Sequence, residues 1–77
     1  MNNKRRDLLR SAKPLLMQAA SIIEKAAEQE SDCLDNVPEN LQDTDRYDKM
    51  ERAVESMEAA IEHIENAQEC IDEAIAK

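Results

Sequence analysis

A regular three-and-four spacing of apolar residues dominates the second half of the chain. From Thr44 onwards these residues fall on one face of a helix, which predicts a long helix over residues 44–76 with a coiled-coil seam. Thr44 suits the N-cap of this helix, and Asp45 and Asp48 suit its first turn, where carboxylates interact favourably with the helix dipole. In heptad notation the a positions are Tyr47, Val54, Ile61, Gln68 and Ile75, and the d positions are Met50, Met57, Ile64 and Ile71.

The two flanks of this seam differ in character. Alanine side chains let a neighbouring helix approach closely, whereas carboxylates favour water. We therefore expect the helix to pack over its a, d and g positions and to keep its e side in solvent. The g positions are all alanine, at Ala53, Ala60, Ala67 and Ala74, and the e positions are all acidic, at Glu51, Glu58, Glu65 and Asp72.

Apolar residues cover a wider arc in the first segment, which predicts a first helix over about residues 3–30. A single neighbouring helix cannot cover so broad a face, so part of it needs another partner. The a positions are Leu9, Leu16 and Ile23, the d positions are Ala12, Ala19 and Ala26, the g positions are Leu8, Leu15 and Ile22, and alanines at 20 and 27 fill e positions.

Pro14 interrupts the first helical pattern. A proline inside a helix removes one backbone hydrogen bond and crowds the carbonyl of the residue four positions earlier, here Arg10. Either one helix is kinked next to Arg10, or Ser11 caps a helix that holds Pro14 in its first turn. We favour one kinked helix, because Leu8 stays in phase with Leu15.

Residues 31–43, SDCLDNVPENLQD, break the pattern and predict a connector long enough for a chain reversal. The first helix starts basic and ends acidic, whereas the second has basic residues near its start and ends acidic. An antiparallel arrangement therefore sets basic residues against acidic ones at both ends, which selects orientation more than stability. The sequence predicts an all-α protein, with residues 1–77 forming one antiparallel two-helix hairpin.

Two helices of this size bury only one shared seam, and such pairs are marginally stable alone. The simplest way to cover the first helix is a symmetric homodimer that forms a four-helix bundle, with the first helix in the middle. The alternative is a monomeric hairpin whose wide face receives a different, unidentified protein. The predicted dimer and core residues are Leu8, Leu15, Ile22, Val54, Met57, Ile61, Ile64 and Ile71.

Composition narrows the class of protein. The 77 residues carry a formal charge of −8 and contain no glycine, which argues against phosphate-binding loops and β-hairpin turns. Apolar runs of at most three residues argue against a membrane span or a signal peptide. Cys33 and Cys70 are too few for a disulfide scaffold. We therefore expect a soluble, cytoplasmic protein that does not bind a membrane.

Candidate chemistry is sparse. The positions three and four residues from His63 hold only alanine and asparagine, so no metal site forms along this helix, and no partner for a catalytic triad is evident. In a hairpin, Cys33 near the turn and Cys70 near the opposite end are too far apart for a disulfide. We expect no cofactor, no metal and no enzymatic activity.

Charged surfaces offer two further hypotheses. The basic start of the chain is expected to pair with the acidic end of the second helix and not to contact nucleic acid, because the protein is acidic and the basic segment has no aromatic residue for base stacking. The acidic flank of the second helix is either a solvated face or a mimic of a phosphate backbone. Leu41 in the connector either helps to plug the turn or presents a recognition patch. The candidate interaction residues are Glu51, Glu55, Glu58, Glu62, Glu65, Glu69, Asp72 and Leu41.

The connector carries the most distinctive motif, of the form DN-[VIL]-PE-x-LQ. With this motif before a long acidic helix, the chain resembles small acidic helical proteins encoded in prophages and conjugative elements of Gram-positive gut bacteria. Many members have Gly-Ser after the glutamine, where this chain has Asp43 and Thr44. The resemblance implies a mobile-element source and a helix–loop–helix form, and it implies no activity or catalytic residues. The motif residues are Asp35, Asn36, Val37, Pro38, Glu39, Asn40, Leu41 and Gln42.

These features together predict a non-enzymatic interaction or scaffold protein of a mobile element that acts through helical self-association. The alternative function is an acidic inhibitor that mimics nucleic acid and blocks a nucleic-acid-binding protein of the host or of a defence system. The two differ in the surface they use: the first uses the apolar face of the first helix, and the second uses the acidic flank of the second.

Overall fold

The computed structural model describes residues 1–76 as an antiparallel hairpin of two long helices, which confirms the predicted fold class. Helix α1 spans Asn3–Asp35 and helix α2 spans Asp45–Ile75, with one short 3₁₀ turn, Glu39–Leu41, between them. The hairpin is 59 Å long and 15 × 13 Å in cross-section. Neither described helix combines the length and the apolar character needed to cross a membrane.

Side-chain caps define where both helices begin. The Asn2 side chain accepts a hydrogen bond of 2.9 Å from the backbone N–H of Arg5 at the start of α1. Thr44 Oγ1 accepts a hydrogen bond of 3.3 Å from the backbone N–H of Tyr47 at the start of α2. The same hydroxyl donates to the Leu41 carbonyl at 2.8 Å, which ties the cap to the connector. The predicted N-cap at Thr44 is confirmed.

Replacing Thr44 with alanine is expected to lower the free energy of unfolding by about 1 kcal/mol, because it removes the cap of α2. Urea unfolding followed by circular dichroism measures the change. Thr44→Ser is the matched control, since serine keeps a hydroxyl that can accept from Tyr47 and donate to Leu41. Equal stability of the alanine and wild-type proteins would contradict a role for this cap.

Helix α1 ends at Asp35, five residues later than predicted, so the predicted connector start at residue 31 is wrong. No glycine or proline stands between Glu30 and Pro38, and Leu34 extends the apolar row that Ala20 and Ala27 begin. Leu34 is half-buried, so packing keeps this last turn helical. Composition alone indicated a loop because this stretch is rich in residues that favour turns.

Asn36 and Pro38 terminate α1. The backbone N–H of Asn36 donates to the Cys33 carbonyl at 3.3 Å, and its side-chain amide donates to the Asp32 carbonyl at 2.9 Å. Pro38 disfavours a helical backbone at the residue before it, Val37. The chain then forms the 3₁₀ turn and reaches Thr44, so the connector is shorter than the sequence pattern indicated.

Pro14 lies inside α1, which continues through it. One helix therefore runs through Pro14, and the alternative of a helix that begins at Ser11 is wrong; the kink at Pro14 stays a prediction. Ser11 does not act as an N-cap, because its hydroxyl donates to the carbonyl of Leu8 one turn earlier. Pro14 has no N–H to donate to the Arg10 carbonyl, so α1 lacks one backbone hydrogen bond there.

The two helices share one narrow apolar seam. Within residues 1–76, Ala27 is the only residue classed as buried, at 8% exposure. The other seam residues are half-buried, so little apolar surface is removed from water by the hairpin alone. They are Leu9, Ala12, Leu16, Ala19, Ala20, Ile23 and Leu34 on α1, and Tyr47, Met50, Val54, Met57, Ile61, Ile64, Ile71 and Ile75 on α2.

Polar contacts join the helices at the end that holds the termini. The Arg6 guanidinium Nε donates to the Ile75 carbonyl at 3.2 Å, and Lys13 forms an ion pair with Asp72. This is the predicted pairing of the basic start of α1 with the acidic end of α2. At the turn end, no ion pair between the helices is found among the described residues, so the opposite charges expected to face each other there are not in direct contact.

Candidate interaction surface

A row of three large apolar side chains on α1, the outer row, stays in solvent. Leu8 and Leu15 are each 66% exposed and Ile22 is 65% exposed. They stand seven residues apart, which corresponds to about 10.5 Å along a helix. Of the predicted dimer and core residues, these three lie outside the hairpin seam. The other five lie half-buried within it, namely Val54, Met57, Ile61, Ile64 and Ile71.

The position of α2 explains why the outer row is left uncovered. Each outer-row residue comes one position before a residue that faces α2, as Leu8 does before Leu9. One residue turns a helix by about 100°, so the outer row points sideways. The seam also extends toward Ala20 and Ala27, on the opposite side of Leu16 from Leu15. This placement leaves α1 with a second apolar face beside the seam.

Alanines complete this second face. Ala12, Ala19 and Ala26 follow the three outer-row residues by four positions each, so large and small apolar residues alternate along α1. Ala12 and Ala19 are half-buried and Ala26 is exposed, as expected at the border between the two faces. Sequence reasoning missed this face as a separate unit, because it assigned the alanines to the seam. The signal that identifies it is the repeated four-and-three spacing from residue 8 to residue 26.

The residues beside this face carry no negative charge between positions 4 and 25. On α1 the bordering row is Lys4, Ser11, Gln18 and Lys25. On α2, half-buried Ala60 and Ala67 lie on the same side of the hairpin, and the row beyond them is Ser56, His63 and Cys70. A protein with eighteen acidic residues therefore keeps its carboxylates away from one apolar face. Such an arrangement favours contact with another acidic protein surface.

The predicted acidic flank of α2 lies in solvent. Of the seven acidic residues of this flank, only Asp72 forms an ion pair within 4.0 Å in residues 1–76, and its partner is Lys13 of α1. Repulsion between neighbouring carboxylates favours such exposure. The exposed members are Glu51, Glu55, Glu58, Glu62, Glu65, Glu69 and Asp72.

An open cavity of about 460 Å³ lies at the turn end of the hairpin. Leu41 contributes to its lining and is 46% exposed, whereas Val37 in the same connector is half-buried. The Gln42 side chain donates to the Val37 carbonyl at 3.3 Å, a hydrogen bond within the connector. The connector therefore covers part of the seam, and Leu41 is only partly packed. The lining includes Cys33, Val37, Pro38, Leu41, Thr44, Tyr47 and Met50.

Tyr47 is the one aromatic residue of the chain and lines this cavity. Burial raises the pKa of the Tyr47 phenol above 10.0, and the negative charge of Glu51 one turn along raises it further. Because the folded state holds this proton more tightly than the unfolded chain, its contribution to stability is present below about pH 10 and is lost as pH rises further.

We expect Glu51→Gln to lower the pKa of Tyr47, since it removes the charge that contributes most to raising it. Ultraviolet absorbance of the phenolate reports the titration of this single tyrosine without interference from tryptophan. Glu62→Gln, a similar change far along α2, is the control and leaves the pKa unchanged. If both variants titrate like the wild type, the charge of Glu51 does not act on Tyr47.

The thiols and the metal-ligating side chains of the described residues form no disulfide and no metal site. Cys33 and Cys70 are free and exposed. No group of three His, Cys, Asp or Glu side chains in the described part of the chain is arranged to hold a metal ion. The apolar second face, the acidic flank and the turn are the surfaces that the fold presents to a partner.

Comparisons with protein-family models, curated proteins and solved structures found no match to this chain. The connector motif spans the last residue of α1, the turn and the 3₁₀ segment. The mobile-element source that this motif implies for the chain stays a prediction. Function is therefore inferred from the surfaces of the hairpin.

Proposed function

We propose that this protein is a non-enzymatic interaction or scaffold protein that acts through helical self-association. One observation carries the proposal: the outer row exposes three large side chains by about two thirds each, whereas only Ala27 is buried in the described hairpin. Complete burial of a leucine or isoleucine side chain contributes about 1.5–3 kcal/mol. The outer row therefore offers a second copy large apolar side chains that the hairpin itself leaves in water.

Size supports the same proposal. A chain of 77 residues buries a smaller fraction of its surface than a larger domain does, and helical proteins this small often gain stability by oligomerisation. A symmetric dimer places both outer rows in the middle of a four-helix bundle, with α1 of each copy at the centre. The acidic flanks of α2 then remain in solvent and keep the bundle soluble.

Sedimentation equilibrium of the whole chain tests this proposal. A homodimer has twice the chain mass of 8.8 kDa, and its fraction rises with protein concentration. A species that stays at 8.8 kDa at every concentration would overturn self-association. The outer row would then be a docking surface for a different protein.

The biological setting follows from the connector motif and belongs to the same proposal. Its resemblance to proteins of prophages and conjugative elements supports a role as a small assembly or scaffold protein of such an element. The two-helix form that the resemblance implies agrees with the hairpin. Expression that rises on induction of a prophage or transfer of a conjugative element is the expected result, measured by transcript level.

A second candidate function is an inhibitor that mimics nucleic acid. The observation that favours it is the row of exposed acids on α2, of which only Asp72 forms an ion pair within the described residues. Reversing the charges of Glu58, Glu62, Glu65 and Glu69 should abolish binding to a basic target and remove its steep salt dependence. Self-association through the outer row should survive this change.

A further inference from the structure

We infer that the outer row packs against the outer row of a second copy in an antiparallel orientation, so that each large side chain sits on an alanine of the partner. The inference rests on the proposed self-association and adds its geometry. It assigns α1, and not α2, to the centre of the dimer. It also sets which residues meet.

The alternation of large and small residues supports this geometry. Consider two antiparallel α1 helices whose two-fold axis lies level with residue 17, midway between Leu15 and Ala19. The numbers of any two residues that face each other across this pair then add up to 34. Leu8 then meets the partner's Ala26, Leu15 meets the partner's Ala19, and Ile22 meets the partner's Ala12. All three large side chains of each copy pack on alanine, which permits close approach of the helices.

A parallel pair lacks this fit. It aligns each residue with its own counterpart, so Leu15 meets the partner's Leu15 and Ala19 meets the partner's Ala19. Layers of two large residues would then alternate with layers of two small ones. Large layers force the helix axes apart, and the alanine layers then leave gaps between them.

The charge distribution of α1 selects the same orientation. Residues 3–17 hold five basic residues and one acidic residue, a formal charge of +4. Residues 18–35 hold one basic and five acidic residues, a formal charge of −4. Antiparallel pairing sets each positive half against the partner's negative half, whereas parallel pairing sets like charges together. Such surface charges fix orientation even where each pair contributes little affinity.

The absence of acids beside the face makes contact between two acidic chains feasible. The row that borders the interface runs Lys4, Ser11, Gln18 and Lys25, and its next member is Asp32. In the antiparallel register Lys4 lies within two residues, about 3 Å along the helix axis, of the level of the partner's Asp32. The one acid of this row therefore meets a lysine, and the long-range repulsion between chains of charge −8 is offset where they touch.

This geometry separates the two connectors. Asn36 lies nineteen residues from the centre of the outer face, which is about 29 Å along the helix. The two turn ends therefore lie about 57 Å apart, at opposite ends of the bundle. Each end presents one connector with its open cavity.

Thiol crosslinking with a short bis-maleimide tests the orientation in a Cys33→Ala, Cys70→Ser background. Gln18→Cys lies beside the two-fold axis and is expected to crosslink to itself. Ser11→Cys and Lys25→Cys are expected to crosslink only when the two variants are mixed. The matched comparison is each of these two variants alone, which crosslinks to itself only in a parallel dimer.

The outcomes separate this inference from the proposed function. Dimers that crosslink through Ser11→Cys alone, or that fail to crosslink through Gln18→Cys, would overturn the antiparallel geometry and leave self-association standing. A monomeric protein in sedimentation would overturn both. Spin labels at Asn40→Cys give a second measurement away from the interface: a separation near 57 Å supports the antiparallel dimer, and a much shorter one contradicts it.

Discussion

Replacing Leu15 with glutamate is expected to convert the proposed dimer into a folded monomer. Leu15 is the middle residue of the outer row, so both copies of a symmetric dimer lose its burial and gain a carboxylate at the interface. Because about two thirds of each Leu15 is left to bury, the lost burial alone amounts to about 2–4 kcal/mol for the two copies together. This corresponds to a rise in the dissociation constant of at least about 30-fold. Sedimentation equilibrium measures the change.

Met17→Glu is the matched control for this prediction. Met17 is 61% exposed against 66% for Leu15, and it lies two residues away on the same helix, but it points to the other side of α1. The substitution should leave the dimer intact, and circular dichroism should show that both variants stay helical. A Leu15→Glu protein that dimerises like the wild type would show that the outer row is not the interface.

The two helices differ in how well the sequence predicts them. On α2 the apolar positions form one narrow row with a polar cap residue before it, so pattern and structure agree from Thr44 onwards. On α1 the end was misplaced because local composition favoured a turn, whereas Leu34 packs in the seam and holds the helix to Asp35. Tertiary contacts outweighed local propensity there.

The interaction surface was predicted as a set of residues but not as a separate face. Sequence showed that α1 is apolar over too wide an arc for one neighbour, and Leu8, Leu15 and Ile22 were among the residues selected. The spacing of apolar residues alone allows α2 to pack against either of two rows on this arc. The structure shows which one α2 takes, with Ala27 buried and Ile22 exposed. A one-dimensional pattern does not distinguish these choices, because both satisfy the same spacing.

The distribution of charge along the sequence also predicted only part of the contacts between the helices. The basic start of α1 meets the end of α2 as predicted, through Lys13 and Asp72. At the turn end no ion pair between the helices is found within the described residues. Formal charge predicts which ends attract, whereas an ion pair needs side chains brought within a few ångströms.

Replacing Pro14 with alanine is expected to raise the free energy of unfolding by up to about 3 kcal/mol. Pro14 is exposed and lies well inside α1, so its ring contributes little packing that alanine would lose. Alanine restores a backbone N–H that can donate to the Arg10 carbonyl and removes the ring from the preceding turn. Urea unfolding at a fixed protein concentration measures the gain, since self-association also adds to apparent stability.

Ser21→Ala is the control, because Ser21 lies seven residues later on the same exposed side of α1 and differs from Pro14 in keeping its backbone donor. Its expected gain is about 0.5 kcal/mol, the difference in intrinsic helix propensity. A Pro14→Ala protein less stable than the wild type would show that α1 needs the proline to follow α2. In that case a straighter α1 would draw Leu9 away from the seam, and the cost of that lost contact would exceed the gain from the restored hydrogen bond.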